Sequence, residues 1–113
     1  MLMGDLMTIV QHQLPVKIII FNNRSLGMVK LEMEVAGIPD LETDLLNPDF
    51  TKIAEAMGLP GITIHDPGEV RSGLETAFQV EGPILITIQT DPNALAMPPK
   101  LEYSQLKGFA LYM

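Results

Sequence analysis

Cysteine and tryptophan are absent from the 113 residues. Without cysteine there is no disulfide framework, no thiolate metal site and no cysteine nucleophile, and a cytoplasmic location is the default expectation. Basic residues are scarce, 7 Lys and Arg against 14 Asp and Glu, for a formal net charge of -7. A nucleic-acid partner, which calls for a basic patch, is therefore not expected. Long apolar runs are missing as well. Ile18–Phe21 is four residues of uninterrupted apolar chain, where a bilayer span takes roughly 20. Met1–Asp5 carries an acid and no basic leader, so export is not expected either. The length suits one domain and is too short for two.

Apolar residues are plentiful. Ala, Val, Ile, Leu, Met, Phe and Gly make up 60 of the 113 positions, against roughly 45 to 50% of an ordinary soluble domain. That excess points to a buried interface. From Leu2 to Gln13 the apolar residues recur at spacings of three and four, the period of a helix face, and Pro15 should end the helix. Val16–Phe21 is a β-branched run without alternation, as expected of a central parallel strand covered on both faces. Ser25 is placed to cap a second helix running to Val35, with Gly37 as its left-handed stop.

The mixed stretch from Ile38 to Leu46, with Asp40, Glu42 and Asp44, reads as a solvated surface loop and not as a metal site. Asn47-Pro48 supplies a cap and a first-turn proline for a third helix, in which Phe50, Ile53, Ala54 and Met57 form the buried stripe. Gly61–Ile64 is a short strand. Asp66-Pro67-Gly68-Glu69 then forms a capping box for a helix that turns Val70, Leu74, Ala77 and Phe78 to the core. Pro83–Thr90 is a last strand, and beyond Asp91 the prolines keep the chain extended until an amphipathic piece at Leu101–Met113. Strands and helices alternate, so the fold class is α/β, a parallel sheet with helices on both faces. Three strands are few for such a sheet.

Open parallel sheets bind ligands beyond the carboxyl ends of their strands. Asn22 and Asn23 stand at such an end. A side-chain amide oxygen is a hard neutral donor that suits Mg²⁺, although an Asn pair also turns a chain unaided. His12 and His65 have no neighbouring serine or acid that would make a triad legible and read as surface or strand-end residues.

Leu14-Pro15-Val16, Phe21-Asn22-Asn23 and Leu26-Gly27-Met28-Val29 together resemble the second half of the signature of thiamine-diphosphate-dependent enzymes. In those enzymes a Gly-Asp-Gly turn precedes the Asn pair by roughly 25 residues. Ala96-Met97-Pro98-Pro99 and Lys107–Met113 are similar, more narrowly, to pyruvate oxidase, the quinone-linked pyruvate dehydrogenase. The resemblance implies an incomplete thiamine-diphosphate-binding, Rossmann-like domain. It implies that Asn23, through its side-chain oxygen, and Ser25, through its carbonyl, hold Mg²⁺, and that the ion holds the diphosphate of thiamine diphosphate. Asn22, Leu26 and Gly27 would line the same turn. Met28 would form an apolar wall by the reacting carbon, where an aromatic residue often stands, and Glu32, on the same helix face, would move a proton or order water.

The Gly-Asp-Gly turn is not found in the 113 residues; Gly4-Asp5 lies too near Asn23 to replace it. The expectation is a fragment, residues 1–113 being the C-terminal part of the cofactor domain. Its metal site would be half present, and alone it would be inactive. The intact enzyme would oxidatively decarboxylate pyruvate to acetate and CO₂, with electrons passing through FAD, bound outside this chain, to quinone. Its partners would be the rest of that enzyme and further copies in a homo-oligomer. Contact with the inner face of the cell membrane would come only through a C-terminal segment not present here. Acetolactate synthase and a non-catalytic α/β association module are the alternatives.

Overall fold

The computed structural model describes residues 3–94 and 110. The expected tail motifs at Ala96–Pro99 and Lys107–Met113 therefore lie outside the described residues, apart from Ala110. The chain divides into two compact units, Met1–Asn22 with Asn47–Thr90, and Asn23–Leu46 with Asp91–Met113.

The first unit holds the sheet. β1 (Lys17–Asn22), β2 (Gly61–Ile64) and β3 (Ile84–Gln89) pair in parallel in the order β1-β3-β2. Lys17 is opposite Ile84 and Asn22 opposite Gln89, while Gly61 stands opposite Leu85. Alternation along β3 splits the core into two. Ile84, Ile86 and Ile88 join Ile64 and Ala77 on one face, with Val70 and Leu74 of α4 (Val70–Gln79) packed on them. Leu85 joins Phe50, Ala54 and Leu59 on the other, with Leu6, Ile9 and Val10 of α1 (Leu6–Gln11) and Ile18 and Ile20 of β1. Helices thus cover both faces. The path explains why: β1 to β2 skips over β3, and β2 to β3 returns. Two crossovers of the same hand running in opposite directions must carry their helices, α3 (Phe50–Ala56) and α4, on opposite faces.

β1 is not the central strand its sequence suggests. Among the described residues it is an edge strand, with Phe21 69% exposed, and β3 is central and buried almost throughout. An apolar β-branched run marks burial propensity, but strand order is set by the crossovers, which the run does not encode. Phe78, expected in the core, is also exposed at 61%, because it follows Ala77 and points about 100° round the helix from it.

Helix ends carry further corrections. Asn47 does not cap α3; Asp49 does, accepting the Lys52 N–H at 3.1 Å. Ser25 does not cap α2 (Gly27–Val35), where Leu26 holds the cap position. Asp66 accepts the Gly68 N–H at 2.7 Å, while the Glu69 N–H goes to the Asp66 carbonyl, so the expected capping box does not form and a single helical turn leads into α4. Gly37, in the second unit, stops α2 as expected: its φ is +70°, its N–H reaches the Glu34 carbonyl at 3.0 Å, and Ile38 N–H reaches that of Met33 at 2.9 Å. Gly58 ends α3 in the same way at φ +85°, with bonds to the carbonyls of Glu55 and Ala54. No helix among the described residues is long and apolar enough to cross a membrane.

Candidate functional site

Asn22 closes β1 and is buried. Its carbonyl accepts the Thr90 N–H at 3.1 Å, which extends the β1–β3 ladder by one bond. Its Oδ1 accepts Nδ2–H of Asn47 at 2.8 Å. Asn47, whose Asn-Pro sequence has the form of a helix cap, instead fixes the amide that ends the strand.

The second unit opens with the turn Asn23–Leu26. Asn23 Oδ1 accepts the Ser25 N–H at 3.1 Å, an Asx turn that sets the amide's direction. Arg24 takes a left-handed φ of 54° to let the chain reverse. Ser25 pairs with Asp44 as an isolated antiparallel bridge, in which Leu26 N–H reaches the Thr43 carbonyl at 2.7 Å and Leu45 N–H the Arg24 carbonyl at 2.8 Å. In a wide pair of this kind the paired residues' own N–H and C=O point away from the opposite segment. The Ser25 carbonyl therefore turns outward from residues 43–45, while its Oγ–H donates to the Thr43 carbonyl at 3.3 Å.

Two neutral hard oxygens, Asn23 Oδ1 and the Ser25 carbonyl, thus belong to one short turn. Asn23 Oδ1 keeps a lone pair beyond the one that Ser25 uses. Gly27 matters beside them because a Cβ there would come within 3.0 Å of Asn23 Nδ2. A side chain at position 27 would press on that amide and push it by a few tenths of an ångström. Together these donors fit a small divalent cation that carries further oxygen ligands from a phosphate and water.

Met28 and Glu32 lie one turn apart on α2 and both are exposed, Met28 at 65%. They share a face, as their spacing implies. Leu26 is exposed as well, and His12 and His65 are exposed as expected.

The loop at 38–46 has more structure than its composition suggests. Thr43 is buried, and its hydroxyl donates to Asp40 Oδ1. Asp40 Oδ2 also lies 3.3 Å from Lys30 Nζ on α2. The Thr43 hydroxyl first, and the Lys30 ammonium with it, hold the Asp40 carboxyl below the ordinary carboxylate range. The acids of this loop form no metal cluster with three or more ligating side chains among the described residues. Sequence reasoning missed Asp40, Thr43 and Asn47, because their roles depend on which distant backbone they meet. The only signal was a lone threonine between acids.

An apolar groove of about 410 Å³ lies in the first unit, lined by Leu6, Ile18, Ile20, Phe50 and Leu85 together with Asn47. It has the character of a packing surface and not of a phosphate site.

Comparison with known proteins adds the class that a parallel α/β sheet and an oxygen-donor turn leave open. Residues 1–88 match the thiamine pyrophosphate enzyme family, C-terminal TPP binding domain. The chain belongs to that family. It is 35% identical over its whole length to YdaP of Bacillus subtilis (strain 168), named as a thiamine pyrophosphate-containing protein, and covers 20% of it. It is 37% identical to the acetolactate synthase large subunit of Pyropia yezoensis over 96% of this chain and 19% of that one. It is 35% identical to the mitochondrial acetolactate synthase catalytic subunit of Saccharomyces cerevisiae over 87% of this chain and 14% of that one. The chain spans about a fifth or less of the length of these relatives.

Proposed function

We propose that this chain forms part of the diphosphate-binding half of a thiamine-diphosphate enzyme, and that the protein carrying it joins two molecules of pyruvate into acetolactate with loss of CO₂. The family membership and the relatives named acetolactate synthase support this reading above the narrower likeness to pyruvate oxidase. The observation that carries the cofactor role is the Asn23–Leu26 turn, with its amide oxygen and its carbonyl.

In this reading Asn23 Oδ1 and the Ser25 carbonyl hold Mg²⁺. A net charge of -7 offers no surplus of Lys and Arg to neutralise two phosphates, so a metal must do so. The aspartate of a Gly-Asp-Gly turn, the expected further ligand, would come from outside these 113 residues. When bound, thiamine diphosphate supplies the carbon centre at which a 2-oxo acid loses CO₂. Gly27 leaves room for the Asn23 amide, and Asn47 steadies Asn22 at the strand end. Met28 gives an apolar wall that keeps water from the reacting centre, and Glu32 holds or moves a proton there.

The tail motifs favour a second reading, pyruvate oxidase with FAD and a quinone acceptor, and the two readings differ in product. The full-length gene product, supplied with Mg²⁺, thiamine diphosphate and pyruvate but no electron acceptor, is expected to accumulate acetolactate. Turnover only when FAD and a quinone are added, with acetate as product, would establish the oxidase instead. No turnover under either condition would leave the association module.

A further inference from the structure

The loop from Asp40 to Leu45 is bonded to the Asn23–Leu26 turn through both backbone and side-chain groups. The Thr43 carbonyl receives two donors from that turn, Leu26 N–H at 2.7 Å and Ser25 Oγ–H at 3.3 Å. The Thr43 hydroxyl, on the other side of the same residue, donates to Asp40. Asp40 in turn pairs with Lys30 at 3.3 Å, one turn along the helix that the Asn23–Leu26 turn begins. The links close a circuit from the turn to Thr43, to Asp40, to Lys30 and back along α2. Thr43 is 3% exposed and Ser25 7%, so water does not readily replace these bonds.

We propose that Asp40 and Thr43 are positioning residues for the metal: they hold the Asn23–Leu26 turn so that Asn23 Oδ1 and the Ser25 carbonyl meet one small cation together. The proposal rests on the reading that this turn binds Mg²⁺. A positioning role differs from general support of the fold in one respect. Mg²⁺ requires near-ideal octahedral geometry at about 2.0–2.1 Å, whereas Ca²⁺ accepts looser arrangements at longer distance. Slack in the turn therefore penalises Mg²⁺ more than Ca²⁺. Partners that orient metal ligands typically govern affinity by about 10–100-fold.

The test is calorimetric titration of Mg²⁺ and of Ca²⁺ into the full-length gene product with thiamine diphosphate present, alongside the melting temperature of each metal-free variant. Asp40→Ala and Thr43→Val are expected to weaken Mg²⁺ binding roughly tenfold and Ca²⁺ binding by distinctly less. Asp40→Asn, whose amide oxygen still accepts from the Thr43 hydroxyl but which no longer pairs its charge with Lys30, should bind Mg²⁺ more tightly than Asp40→Ala and less tightly than wild type. Should Asp40→Ala not fold, Thr43→Val and Asp40→Asn provide the same contrast. Asn23→Ala tests the underlying reading separately: unchanged Mg²⁺ affinity in that variant removes the metal turn itself, whatever Asp40 does. If Asn23→Ala loses binding while the Asp40 and Thr43 variants bind as wild type, the positioning role is wrong. It is equally wrong if both metals weaken alike, in step with the melting temperature.

Discussion

Gly27 is the residue at which local stability and ligand binding should part. It is the first residue of α2, and alanine is the better helix former by up to about 1 kcal/mol. A Cβ there, however, would stand 3.0 Å from Asn23 Nδ2. Gly27→Ala is therefore expected to leave the melting temperature unchanged or slightly raised while it weakens Mg²⁺ binding with the cofactor; calorimetry and thermal melts on the same samples check both. Asp49 makes a second prediction at this scale. The Lys52 N–H, bonded to its side chain, holds its carboxyl below the usual range. A depressed folded pKa adds stability that is present above the unfolded value, near pH 4, and is lost as pH falls through the folded value. An Asp49→Ala variant should thus melt below wild type at neutral pH, with the gap narrowing as pH falls below the unfolded carboxylate value near 4. Asp40 carries the same sign, for the same kind of reason.

Legibility in the sequence also differed by residue. The Asn22-Asn23 pair at the end of a β-branched run marked the place where the turn is found, because strand ends and turn formers are local features. Asn47 misled for the same cause. Asn-Pro has the local form of a helix start, yet its amide is bonded to Asn22, 25 positions away. No local rule could show that partner.

At the scale of elements, the helix stops were readable and the strand order was not. Gly37 and Gly58 adopt positive φ in the same double-bonded stop. At Gly58 a Cβ would meet only Val10 Cγ1 at 3.7 Å, an ordinary contact. Gly58→Ala should then lose about 1–2 kcal/mol from backbone conformation alone, measurable by chemical denaturation. β3 is the structural centre, paired on both sides and buried. Ile86→Ala, at a fully buried position, should lose about 2–5 kcal/mol. The run at β1 looks equally central in sequence, but the path from β1 over β3 to β2 leaves it at an edge among the described residues. Pairing belongs to the crossovers, and those are non-local.

For the whole molecule, the α/β class was visible in the alternation of strand and helix, and the family was visible in the Asn pair with its Leu-Gly-Met-Val continuation. The reaction was less visible: the chain amounts to about a fifth or less of the relatives it matches. Tail motifs that leaned towards an oxidase lie beyond the described residues, while relatives named acetolactate synthase lean the other way. The 113 residues by themselves are expected to turn over no pyruvate, since only part of the proposed metal site lies within them; steady-state assay of the isolated chain with Mg²⁺ and thiamine diphosphate checks this.

The most direct measurement of the central claim is a crystal structure of the full-length protein grown with Mg²⁺ and thiamine diphosphate. Asn23 Oδ1 and the Ser25 carbonyl are expected at about 2.0–2.1 Å from the ion, with diphosphate oxygens completing the sphere. An ion and diphosphate bound elsewhere, with the Asn23 amide engaged only with the Ser25 N–H, would contradict it.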